Sequence, residues 1–213
     1  MSFKADKFQE NYELNFDNDT RPKVDPFNDK KFYTNIDFEE IDIRDVSFER
    51  CKFSSCLFNE ISMADTIFTG CIFEKCSIVL ARLENTTFND VLFKGCKMIG
   101  LDFTKANDFL MTMAFDETIL DNIYFFDKKI RKTNFINCRI KNSDFTRVDL
   151  SGSDFTESLF EHVTFSQCKL EKADFRSARG YQIDPETNNL KKARFTLPEA
   201  QSFLAYLGIN IED

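Results

Sequence analysis

Ile36-Asp-Phe38-Glu-Glu-Ile41-Asp-Ile43-Arg-Asp-Val46-Ser-Phe48-Glu-Arg-Cys51-Lys-Phe53 opens a run that continues to Phe103 and decides the fold. Every fifth residue from Phe38 to Phe103 is Phe, Ile, Leu or Met, fourteen in succession. In a chain that is 42% hydrophobic, chance would give fourteen such hits roughly five times in a million. The period matches neither a helix, at about 3.6 residues, nor a flat strand, at about 2.0. It requires a chain that turns a corner every five residues, with one large side chain per unit pointing inward.

A second inward position lies two residues earlier. It holds Ile41, Val46, Cys51, Cys56, Ile61, Thr66, Cys71 and their successors, nearly all compact and none charged. A unit with one large and one compact inward residue cannot form its own core, so units must stack into a solenoid. All seven cysteines, Cys51, Cys56, Cys71, Cys76, Cys96, Cys138 and Cys168, fall on this compact position. There is no Cys-x-x-Cys. These thiols read as small buried hydrophobes rather than metal ligands or disulfides. Twenty residues separate Cys56 from Cys76 and Cys76 from Cys96, so four units per coil would stack them at about 4.8 Å, the spacing of neighbouring strands.

Working outward, the period breaks at Asp108 and resumes two residues out of phase at Phe115, continuing to Phe175. The simplest repair is a two-residue insertion within 105–111, with Leu110 as a corner. Lys105, Asn107, Asp108, Phe109 and Met111 then form either a tolerated surface insertion or a partner-contact loop. Gly180 and Pro185 occupy central positions, and Leu190 and Phe195 recover the pattern. Residues 1–32 are polar and read as a disordered segment or a cap; 33–195 are the repeat domain. In 196–213 the period changes to i, i+3, i+4, i+7 through Ala200, Phe203, Leu204 and Leu207. Thr196 stands at a capping-box position ahead of it and Gly208 after it. This predicts a short amphipathic α-helix. With Leu197, Ile209 and Ile211 it is expected to form a homodimer interface.

The 213 residues carry a net charge of −8, which argues against direct nucleic-acid binding by the chain as a whole. No 18-residue apolar run exists, and the N-terminus lacks a signal-peptide core, so the expected location is cytoplasmic. The one histidine, His162, follows Glu161 on an outward position. No phosphate loop, nucleophile set or metal constellation can be assembled. The reading is therefore a non-enzyme with no cofactor and no small-molecule substrate.

Ser-Asp-Phe-Thr-Arg (143–147), Ser-Asp-Phe-Thr-Glu (153–157) and Ala-Asp-Phe-Arg-Ser (173–177) resemble the pentapeptide-repeat family motif. The resemblance covers about 34–195 and implies a right-handed quadrilateral β-helix, here of about eight coils. Leu-Pro-Glu-Ala-Gln-Ser-Phe-Leu-Ala-Tyr-Leu-Gly-Ile (197–209) is similar to the C-terminal segment of the Qnr-type quinolone-resistance proteins. That similarity implies a rod-shaped homodimer that binds DNA gyrase and topoisomerase IV as a DNA mimic. The alternative reading is a structural or interaction scaffold of the same fold with an unrelated protein partner. Qnr-type proteins carry two projecting loops, whereas this sequence shows a single break.

Overall fold

The computed structural model describes residues 24–207. The repeat folds as a parallel β-solenoid of about seven turns with four walls. The first wall pairs Phe27–Asp29, Ser47–Glu49, Ile67–Thr69 and Thr87–Asn89 in order. The second stacks Phe32–Thr34, Lys52–Ser54, Ile72–Glu74, Val91–Lys94, Met113–Asp116 and Asn134–Ile136. The third stacks Ser77–Val79, Lys97–Ile99, Ile119–Asp121, Arg139–Lys141 and Leu159–Glu161. The fourth is joined by single bridges, such as Ser62 to Arg82 and Tyr124 to Asp144. Rungs are 20 residues apart, as in Phe53 opposite Phe73, so four five-residue units make one turn.

The corners explain how a five-residue unit turns. The residue two places after each central position almost always has a left-handed backbone: Lys30, Asn35, Asp45, Arg50 and Ser55 have φ of 52–61°. For a non-glycine residue this conformation costs roughly 1–2 kcal/mol. The corner N–H offsets the strain by bonding into the next turn, as Arg50 does to the Thr69 carbonyl at 2.7 Å. At Gly180 (φ +74°) no other residue fits, because a Cβ would lie 2.3 Å from the Phe160 carbonyl oxygen.

The inward large residues fill the axis. Tyr33, Phe53, Phe73, Phe93, Phe115, Phe135, Phe155, Phe175 and Phe195 form one continuous stack, with neighbouring ring centroids 4.6–5.3 Å apart. The compact inward position is a hydrogen-bond donor to the turn below. Thr66 and Thr86 donate to the carbonyls of Ile43 and Met63 at 2.8 Å. Cys71, Cys76 and Cys96 do the same to Phe48, Phe53 and Phe73 at 3.3–3.4 Å. Asn28 takes a central position at the first corner despite being polar. Its amide bonds the Asp25 carbonyl and accepts from the Tyr33 hydroxyl. The ladder therefore starts at Phe27, ahead of the boundary expected at 33.

Three expectations are corrected. The turns number about seven rather than eight. Leu110 and Gly180, expected at central inward positions, stand instead at left-handed corners. Leu110 is 59% exposed, and Met111 turns into the core instead. Gly180 has no side chain, and the neighbouring Tyr181 and Ile183 are the buried residues. The segment Glu199–Leu207 is a 3-10 helix rather than an α-helix. It begins directly after Pro198, whose carbonyl receives the Gln201 N–H in an i to i+3 bond at 2.9 Å. The tighter winding lets Phe203 dock on Phe195. Among the described residues no helix is long and apolar enough to cross a membrane.

Candidate interaction surfaces

The insertion is a built loop. The pairing offset rises from 20 to 22 residues as Lys97 pairs Ser77 on one side and Ile119 on the other. A 3-10 turn at Phe103–Lys105 leads in, with Asp102 accepting the Thr104 N–H. Asn107 then caps the loop, its side chain accepting from the Phe109 N–H at 2.9 Å and donating to Asn85 at 3.0 Å. Lys128 comes from the next turn with its side chain only 5% exposed. Its ammonium bonds the Ala106 carbonyl at 2.8 Å and the Asp108 carboxylate. Met111 anchors the far side in the core. What projects is the tip, Phe109 (73% exposed) with Leu110. Of the residues expected to make the break, Lys105, Asn107 and Asp108 hold the base, Phe109 makes the tip, and Met111 is buried. Lys128 was not legible as part of it, since in sequence it reads as one of a basic group with Lys129, Arg131 and Lys132.

Charge is sorted by wall. The fourth wall comprises 41–45, 61–65, 81–85, 101–105, 123–127, 143–147, 163–167 and 183–187. It holds nine acidic and four basic side chains. Among the described residues only two of the nine acids are ion-paired, Asp42 with Arg44 and Asp127 with Arg147. The first wall, on the segments 26–30, 46–50, 66–70, 86–90, 106–112, 128–132, 148–152, 168–172 and 188–192, holds ten basic and six acidic side chains. Four of its six acids are ion-paired: Asp29, Glu49, Asp108 and Asp149. Most pairs elsewhere tie one rung to the next, as Lys52 to Glu74 and Lys94 to Asp116.

At the C-terminal end the expected interface residues divide. Phe203 plugs the solenoid, its ring edge-on to Phe195 at 4.7 Å and tilted to Tyr181 at 6.1 Å. Ala200 and Leu204 are half-buried, and Leu197 is 76% exposed. The side chain of Leu207, and Ile209 and Ile211, lie outside the described residues. Burial pushes the Tyr181 hydroxyl up to about 12.

The seven cysteines are buried and free. Burial pushes the thiols of Cys138 and Cys168 up to about 12 and about 11, and Cys71 upward as well. Among the described residues no three His, Cys, Asp or Glu side chains are placed to hold a metal ion. His162 is exposed at a corner.

The pentapeptide repeat region model matches residues 41–109 and 106–175. The chain belongs to the pentapeptide-repeat family. No curated protein matches it significantly. Its fold is similar to that of a trypsin-treated variant of QnrB1, a plasmid-mediated fluoroquinolone resistance protein, with 19% identity, 95% of each chain covered and a TM-score of 0.62. A second trypsin-treated QnrB1 variant matches at 17% identity, covering 87% of this chain and 100% of that one, with a TM-score of 0.58. Full-length QnrB1 matches at 18% identity, 86% and 99% coverage and a TM-score of 0.50.

Proposed function

We propose that this pentapeptide-repeat protein binds a type II topoisomerase, DNA gyrase or topoisomerase IV, in place of DNA and modulates or protects against fluoroquinolone inhibition. The observation that carries this reading is the fourth wall. Seven of its nine acids are free of ion pairs among the described residues. They stand on a rigid ladder whose rungs repeat at about 4.8 Å, and a row of fixed negative charge on a rod is what a DNA-binding channel attracts. The likeness to a fluoroquinolone resistance protein along nearly the whole chain supports the same reading. Two protomers joined at their C-terminal ends through Leu197 and Leu204 would extend the rod.

A second reading, an interaction scaffold for an unrelated protein, is favoured by the loop. An apolar tip of Phe109 and Leu110 on a pinned base suits a pocket on a protein partner and does not need the acidic wall.

Gyrase supercoiling, titrated with this protein with and without a fluoroquinolone, tests the first reading. Inhibition of supercoiling or relief of drug inhibition at near-stoichiometric protein is expected. Both should weaken at least about tenfold in Asp45→Asn, Asp65→Asn, Glu84→Gln together, a change of roughly 1.4 kcal/mol. Asn retains the left-handed corners at 45 and 65. No effect on gyrase or topoisomerase IV at a large molar excess sinks the reading. An effect that survives the triple variant but is lost in Phe109→Ala, Leu110→Ala moves the contact to the loop.

A further inference from the structure

The C-terminal half of the first wall is a second, oppositely charged surface. Lys129, Lys132, Lys169, Lys172, Lys191 and Lys192 are all exposed there, and none is ion-paired among the described residues. The other two bases of this region are occupied: Lys128 is buried under the loop, and Arg131 is held by Asp149 at 2.6 Å. The bridges Lys129 to Asp149, Asp149 to Lys169 and Lys169 to Asn189 put these segments on successive rungs. The six ammonium groups therefore lie over three rises, about 14 Å, and about 10 Å across. At its upper end the wall runs into an open groove of about 330 Å³ lined by Arg131, Lys132, Thr112, Thr133 and Asn134 among others, with one acid, Asp90.

We propose that this lysine wall binds the phosphate backbone of nucleic acid, without reading sequence. A strand of duplex DNA presents one phosphate per 3.4 Å of axis, so about four face a 14 Å wall. Three of the four rungs carry two of these lysines each, and the 148–152 rung carries Asp149 instead, so six ammonium groups are available to about four phosphates. Lysine ammonium groups bind phosphates as point charges, without the bidentate geometry that arginine brings to carboxylate and phosphate alike. The wall offers no projecting helix or ribbon to enter a groove, so it cannot read base edges. The net charge of −8 does not prevent the contact, because charges beyond about 10 Å are screened at 0.1 M salt. The inference is independent of topoisomerase binding: it concerns a different wall, and either can fail without the other.

The test is fluorescence anisotropy of a labelled 20-base-pair duplex with the full chain at 50 and 200 mM salt, with a labelled poly-glutamate peptide as the second probe. Binding of the duplex in the micromolar range is expected, weakening about 100-fold between the two salt concentrations, as neutralisation of about four phosphates requires. Lys169→Gln, Lys172→Gln, Lys192→Gln should lose at least about tenfold in duplex affinity and lower the salt slope by about 1.8, half of the four contacts. Lys75→Gln, Lys97→Gln, Arg139→Gln removes equal charge from exposed, unpaired side chains of the second and third walls and should change affinity less than twofold. Thermal melts matched to the parent show that both variants are folded. No duplex binding at 50 mM salt, equal losses in the two variants, or equal or tighter binding of poly-glutamate overturns the proposal.

Discussion

Phe73→Ala measures how much the axial ring stack contributes. Phe73 is fully buried. Its ring stacks on Phe53 at 4.7 Å and Phe93 at 5.0 Å, and meets Phe58 and Phe68 edge-on at 5.5 and 5.3 Å. Core truncations of Phe cost about 3–5 kcal/mol, less where the site collapses. Collapse is blocked here. Phe73 is paired through its backbone to both Phe53 and Phe93, so those rungs cannot close on the void. Four ring contacts, each adding roughly 0.5–1.5 kcal/mol beyond area in the best cases, disappear together. The expected loss is therefore in the upper half of the range, about 4–5 kcal/mol. Phe195 has one stacked neighbour, Phe175 at 5.3 Å, and is only partly buried. Phe195→Ala should cost about 2–3 kcal/mol, part of it from freeing Phe203. Urea unfolding followed by circular dichroism, with the slope compared across variants, reads both. A loss under 1 kcal/mol at Phe73, or equal losses at the two positions, would refute the reasoning.

Three further outcomes follow from the geometry. The seven thiols should react slowly with a thiol reagent at pH 8 in the native protein and fully after denaturation, and Cys76→Ser should be milder than Cys76→Ala because Ser158 already donates to a carbonyl from the same position at 2.6 Å; native disulfides by mass spectrometry would contradict this. Asp174 is held below the usual carboxylate range by the Arg176 guanidinium, against burial, with Arg194 adding to the effect. Its contribution is present above its unfolded pKa of about 3.9 and lost as pH falls through the lower folded value, so acid melts should show Asp174→Asn flattening the loss below pH 4, and an unchanged profile would remove Asp174 from the account. Light scattering should show a dimer that becomes monomeric in Leu197→Asp, Leu204→Asp; a persistent dimer would move the interface elsewhere.

The fold was legible because it depends on two inward positions per unit, and Phe38 to Phe103 states both without interruption. The corners were not. Lys30, Arg50 and Lys75 take a left-handed conformation that their side chains give no reason to expect, since the ladder imposes it. Asn28 was missed because a polar residue broke the pattern, although Tyr33 and Asp25 satisfy it inside. The insertion was found within 105–111 from the phase shift, but its geometry depends on Lys128, a turn away and disguised by basic neighbours. The end segment was expected as an α-helix and winds as a 3-10 helix over Glu199–Leu207, because i, i+3, i+4 spacing separates the two poorly over nine residues.

The same division governs function. In each unit the inward residues are constrained by stacking and the corner residue by its backbone. The outward positions before and after the centre take no part in the axial ring stack, so most can change without cost to the core, although Asp149 and Asp174 are themselves buried. In this chain they are not random. Acids gather on the fourth wall, largely free of ion pairs among the described residues. Lysines gather on the C-terminal half of the first, while the second wall ties Lys52 to Glu74, Lys94 to Asp116 and Arg194 to Asp174 across successive rungs. A ladder cross-linked along one wall and carrying excess charge of opposite sign on two adjacent walls presents two distinct electrostatic surfaces on one rigid body. Neither can relax by moving relative to the other, because the turns are joined by backbone hydrogen bonds on every side. A partner that engages the acidic wall therefore meets the lysine wall at a fixed angle beside it. A complex of a DNA-binding enzyme with its duplex would supply complementary surfaces to both.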